Sequence, residues 1–142
     1  MDFSYRKAMS SDIPLLESIR IRSIQSCAIY SEDQRGVWAQ SIPDWPAMID
    51  NTLICTKNDQ LLGFAVANEC ELDLLYVAPN FHGLGIAYSL VSMVERPEMK
   101  CDCNPYSEKV LKRRGWKFES DNVKTKEGQT FHNKWYVFHS NE

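Results

Sequence analysis

The stretch LDLLYVAPNFHGLGIAYSLVSMVE, Leu72 to Glu95, joins an apolar run to an amphipathic one through a proline and two glycines one residue apart. Leu72 to Val77 has the length and apolar weight of a buried strand. From Gly83 the period changes: Ile86, Leu90, Val91 and Val94 recur at helical spacing, and Arg96-Pro97 ends the helix. A strand that enters a glycine turn and then a helix start leaves the first backbone N–H groups of that helix unpaired. The positive end of the helix dipole points the same way, so phosphate is the natural guest. Gly83 and Gly85 have no Cβ to block close approach, and Ala87 is small enough to serve the same end.

Two other phosphate-binding classes compete for this turn. The nucleotide-triphosphate motif GxxxxGK[ST] is absent from the chain. A dinucleotide site is the more serious rival, because Gly83-x-Gly85 precedes a helix, a strand and then Asp102 at about the spacing of a ribose-binding acid. Against it, the third glycine position holds the bulky Tyr88, and the turn begins several residues after Val77. The rest of the chain is also too short for a doubly wound sheet.

The outer segments read as a mixed α/β protein. Phe3 to Met9 suits a first strand; Ser11 or Asp12 suits an N-cap and Pro14 the first turn of a helix that turns Leu15, Leu16 and Ile19 inward. Tyr30 to Asn51 reads as one or two short helices interrupted by Gly36, Pro43 and Pro46. TLICTK, the turn pair Asn58-Asp59 and LLGFAVANE form a hairpin that runs on into ELDLLYV, an antiparallel meander. MKCDC is a short strand, PYSEKVLKRR a helix stopped by Gly115, and the remainder a hairpin turning near Glu127-Gly128.

With 142 residues, 44% of them hydrophobic, the chain suits one domain over residues 1–142. A net charge of -3 without a basic block argues against nucleic acid as a partner, and the run Lys112 to Arg114 reads as a solvated helix face. The apolar runs are too short to span a membrane. Five cysteines without CxxC spacing, and no signal peptide, point to a reducing, cytoplasmic setting and to no metal.

YVAPNFHGLGIAYSLV resembles motif A of the GNAT acyltransferases, whose Arg/Gln-x-x-Gly-x-Gly/Ala signature binds the pyrophosphate of acetyl-CoA. Gly85 and Ala87 match, Phe81 takes the usual aromatic position, and Val77 and Pro79 fit the strand exit. His82 stands at the Arg/Gln position, a departure. Downstream, Asn104 and the pair Gly115-Trp116 match the family's second feature. Within the family, the opening segment and the closing FHNKWYVF look most like small bacterial YafP-like members.

The resemblance implies a single GNAT domain with an α/β fold. Its mixed, mostly antiparallel sheet of six to seven strands would be flanked by about four helices, with strands Leu72–Val77 and Met99–Cys103 parallel and splayed. It implies acetyl-CoA as cosubstrate, a small-molecule or peptide amine as acceptor, and room for a homodimer. The pantetheine arm would pair with backbone around Leu75, Tyr76 and Val77. The pyrophosphate would sit among His82, Gly83, Leu84, Gly85, Ile86 and Ala87, with Asn104 and Ser107 completing the cofactor side.

Direct attack by an amine of pKa about 10.4 needs a proton acceptor. Glu71 or Asp73 is the candidate, directly or through water; they share parity with Glu69 in a regular strand. Many family members place a tyrosine seven residues after the asparagine to protonate the departing thiolate, and here that position is Leu111. Tyr106 or a water could substitute. His82 is either a turn residue facing water or an anion partner that titrates near pH 6.5. Tyr30 to Asp50 and the final hairpin would build the acceptor pocket.

Overall fold

In the computed structural model, which describes residues 2–140, the chain opens with strand β1 (Ser4–Lys7) and helix α1 (Ile13–Gln25). β1 is shorter than Phe3 to Met9, because the Met9 N–H turns away to donate to Asp12 Oδ2 at 2.7 Å. Asp12 does stand at the head of α1 with Pro14 in the first turn, yet its side chain makes no cap bond to that helix. Arg6 holds it instead through two hydrogen bonds of 2.9 and 3.0 Å. α1 buries Leu16, Ile19 and Ile24, whereas Leu15 is 52% exposed. One residue is a rotation of about 100° on a helix, which carries Leu15 off the inward face.

Helices α2 (Glu32–Gln40) and α3 (Trp45–Met48) follow. Arg20, 1% exposed, ties α2 to α1: its guanidinium donates to Glu17 and to the carbonyls of Trp38 and Ala39. Strands β2 (Thr52–Lys57) and β3 (Gln60–Ala67) turn at Asn58 and Asp59, whose φ of 51° and 63° are the left-handed pair of a tight hairpin. Next come β4 (Glu71–Val77), α4 (Ile86–Val94), β5 (Met99–Cys103), α5 (Pro105–Arg113), β6 (Lys117–Lys126) and β7 (Gln129–Phe138).

The seven strands lie in the order β1-β2-β3-β4-β5-β7-β6, antiparallel throughout except between β4 and β5. Alternate strand residues feed two separate cores. Cys55, Ala65 and Val77 join Ile86, Leu90 and Leu111 under α4 and α5. Ile54, Phe64 and Tyr76 join Leu16, Ile19 and Trp45 under the first three helices. The central strands are therefore covered on both faces, as their apolar runs require, while β6 at the edge is largely exposed. Glu95 locks the far end of α4 to the end of α5 by accepting from Arg114 and from Trp116 Nε1. Among the described residues no helix is long and apolar enough to cross a membrane.

Candidate active site

β4 and β5 pair at two rungs, Glu71 with Lys100 and Leu72 with Cys101. Beyond them the strands part, as the splayed pair requires. On its other edge β4 carries a bulge: Ala67 registers with Leu72 but Val66 with Leu74, so Asp73 is the extra residue. The Ala78 N–H donates to Leu62 O on the β3 side at 2.8 Å. Strand alternation then turns the polar groups of Leu75 and Val77 toward the open edge. Val77 O there accepts from Ser23 Oγ at 3.2 Å and lies 2.8 Å from His82 Nε2.

Two cavities meet in this opening. One, of about 580 Å³, runs from the open edge to the glycine turn and is lined by His82, Gly83, Gly85, Ile86 and Ala87. Gly83 and Gly85 have φ of 80° and 82°, a left-handed backbone that side-chain residues rarely adopt. Nothing lies within 4 Å of a Cβ built on either, so the space over the turn is open. Gly85 is the N-cap of α4 and offers no side-chain cap to the first helical amides. Leu84, 38% exposed, does not line this cavity with the rest of the turn. Arg113 does line it, with its guanidinium 5.5 Å from the Tyr88 ring centroid. Sequence reasoning had grouped Arg113 with a solvated helix face; it stands on the cavity side of α5, one helical turn beyond Val110, which lines the same cavity.

The second cavity, about 690 Å³, lies where Tyr30 to Asp50 and the last hairpin were expected to build a pocket. Trp38 and Phe131 form its aromatic wall with Tyr30, whose ring meets theirs edge-on at 5.6 and 5.5 Å. The Tyr30 hydroxyl donates to Asn133 Oδ1 at 3.0 Å, and burial pushes its pKa up to about 12, so the phenol holds its proton. Asp73 and Asp102 line the cleft; Glu71 does not. Burial raises the Glu71 carboxyl above the usual range, and the Asp73 charge and a hydrogen bond with Asp73 raise it further. Glu69 falls in the bend before β4 rather than in the strand, so it does not extend the row.

Leu75, Tyr76, Asn104, Ser107 and Trp38 line both cavities and mark where they join. Asn104 and Ser107 cap α5: Asn104 Oδ1 accepts from the Tyr106 and Ser107 N–H groups at 2.9 and 3.0 Å, and the Asn104 N–H donates to Ser107 Oγ at 3.1 Å. Tyr106 lines the turn-side cavity and is 43% exposed. Leu111 is fully buried in the core, so that position presents no group to either cavity. Cys101 and Cys103 are both buried; a hydrogen bond of the Cys101 thiol to Cys103, together with burial, lifts that thiol well above its usual range, the opposite of an activated nucleophile. Among the described residues, no group of three or more His, Cys, Asp or Glu is placed to hold a metal ion.

Asp102, Ser23 and Arg113 are the site residues to which sequence reasoning gave no role here, whereas Trp38 and Lys124 fall in the two segments expected to build the pocket. Asp102 had been weighed as a ribose ligand, whereas it pairs with Lys124 inside the cleft. Its position immediately after the last β4/β5 rung is the signal that parity alone could not supply.

The same architecture recurs in solved structures. The chain is similar to a GCN5-related N-acetyltransferase from Rhodopseudomonas palustris, with a TM-score of 0.86, 23% identity and 99% of each chain covered. It is similar to the PaiA N-acetyltransferase of Thermoplasma acidophilum, solved in complex with coenzyme A, at a TM-score of 0.71 and 17% identity over 97% of this chain and 100% of that one. It also resembles a ribosomal-protein-alanine N-acetyltransferase from Brucella melitensis, at a TM-score of 0.68 and 17% identity over 96% and 99% of the two chains. A search of curated proteins finds no match. These likenesses concern the fold. The family model described as acetyltransferase (GNAT) domain matches residues 29–134, most of the chain and both cavities' shared lining, and the protein belongs to the GNAT acetyltransferases.

Proposed function

We propose that the chain transfers an acetyl group from acetyl-CoA to a primary amine by direct attack, both substrates being bound at once. The observation that carries this reading is the meeting of two cavities at the open β4 edge, one leading to the glycine turn and one to the acid-lined aromatic cleft.

On the donor side, the amides at the start of α4 and the Gly83 and Gly85 backbone would hold the pyrophosphate. Arg113 would add a cation to the same cavity. The polar groups of Leu75 and Val77 would pair with the pantetheine amides as an added strand does. A backbone N–H near Val77 would bear the charge that develops on the thioester oxygen.

On the acceptor side, an amine enters as ammonium and must lose a proton before its lone pair can attack. Asp73 lines the cleft and takes that proton; Glu71 behind it, raised by burial and by Asp73 itself, shares it and passes it to solvent. The C–N bond forms, the attacking nitrogen gives up a second proton to the same carboxylate once that has passed on the first, and the C–S bond breaks with its electron pair leaving on sulfur. A thiol of pKa about 8.5 is a tolerable leaving group without full protonation, so the buried Leu111 is no bar to transfer. Tyr106 or a water lining the donor cavity would return the proton.

The test is CoA release with acetyl-CoA and a panel of primary amines, beside acetyl-CoA titration by calorimetry. Turnover is expected. Tight binding with no release from any amine would assign the chain to acyl-CoA binding without catalysis, the alternative that Leu111 favours.

A further inference from the structure

The acceptor cleft carries opposite charges at its two ends. Asp73 and Asp102 stand at the apex, each directly after the last rung that joins β4 to β5. Lys124 and Lys126 enter the same cleft from β6. Two antiparallel pairings separate β6 from β5, so β6 runs in the direction in which β4 and β5 diverge. Lys126 therefore lies farther toward the open end than Lys124, by roughly 7 Å at the usual strand rise.

The two lysines are not equivalent. Lys124 is paired with Asp102. Lys126 donates to Ser41 Oγ at the end of α2 and pairs with no carboxylate among the described residues. Tyr30, Val37, Trp38 and Phe131 supply apolar surface to the same cleft. With two carboxylates and two ammonium groups the lining is neutral as a whole but dipolar along its length. A diamine would set its second ammonium against Lys126, and a plain alkylamine would leave that cation with the Ser41 hydroxyl but no counter-charge.

We propose that the acceptor is an amine that carries an anionic group at the far end of an apolar spacer, and that Lys126 is the residue that selects it. This rests on the acetyl-transfer reading above. The amine sits at Asp73 beside the thioester; the anion replaces the Ser41 hydroxyl at Lys126.

The experiment compares three amines of one length, ω-aminohexanoate, hexylamine and hexamethylenediamine, by CoA release with acetyl-CoA. A hydrogen bond to a charged group contributes about 1.5–3 kcal/mol, so ω-aminohexanoate should exceed the other two by about tenfold or more in kcat/KM. Lys126→Gln should bring it down to the hexylamine level through KM, and Lys126→Glu should move the preference to the diamine. Lys126 is exposed, so both variants should keep the wild-type Tm. Hexylamine or the diamine outpacing ω-aminohexanoate, or its advantage surviving in Lys126→Glu, overturns the assignment while leaving acetyl transfer in place. CoA release from none of the three, with acetyl-CoA failing to bind by calorimetry, removes the transfer reading and this inference with it.

Discussion

Glu71 and Asp73 interact along β4, and of the two only Asp73 lines the aromatic cleft. A carboxylate beside another is harder to ionise, because two bare carboxylates repel. Glu71 has its pKa raised in the folded protein, first by burial and then by Asp73. Stability from its protonated form is fully present below the unfolded value of about 4.3 and is lost as pH rises through the raised folded value. Glu71→Gln should therefore gain thermal stability on wild type across that window and hold the gain at neutral pH. Its CoA release should fall, and the acid limb of its pH-rate profile should shift. A Tm difference that ignores pH would show that Glu71 titrates normally.

Gly85 tests the donor side. Its φ of 82° means that alanine alone costs about 1–2 kcal/mol in backbone strain, with open space around the added methyl. Gly85→Glu adds a negative charge over the helix start as well, and calorimetry should find acetyl-CoA binding abolished while Gly85→Ala weakens it only modestly. Wild-type affinity in Gly85→Glu would move the pyrophosphate away from the turn.

Leu111 is fully buried beneath the sheet, so its contribution is packing. Leu111→Ala should lower the unfolding free energy by about 2–5 kcal/mol in urea titration. Leu111→Tyr should not raise the rate of CoA release, since the side chain points into the core and the larger ring strains it. A faster Tyr variant would mean that α5 can turn that position toward the thioester.

Arg6 holds the Asp12 carboxyl below the usual carboxylate range, with the Met9 N–H adding to the effect and burial opposing it. This stability is present above the unfolded pKa of about 3.9 and is lost as pH falls through the lower folded value. Asp12→Asn should cost about 1–3 kcal/mol at neutral pH, and the difference from wild type should close in acid. A constant difference down to the lowest pH would assign the effect to shape rather than charge.

The motif from Leu72 to Glu95 was legible because its glycines, its change of period and its helix start all encode one local geometry, and the strand exit and cradle lie as those residues dictate. The two hairpin turns were legible for the same reason, each being a left-handed pair at adjacent residues. Asp102 and Lys124 were not, because they are 22 residues apart and meet only through the β5-β7-β6 order, which no local period records. Parity placed Glu69 in the row only for a regular strand, and the two departures it leaves open both occur: β4 begins at Glu71 and bulges at Asp73. Leu15 was assigned inward on hydrophobicity alone, where a helix of that length has room for only one narrow stripe.

The Val77 carbonyl already accepts Ser23 Oγ and has the His82 ring at 2.8 Å, one from α1 and one from the turn that follows the strand. A carbonyl oxygen has two lone pairs, so any amide arriving there must replace a donor instead of adding one. Occupancy of the cleft is thus an exchange that frees a serine on α1 or a histidine in the turn. Grip on the incoming molecule is moderated by what it displaces, and its departure is assisted by side chains that stay within reach to reclaim the oxygen.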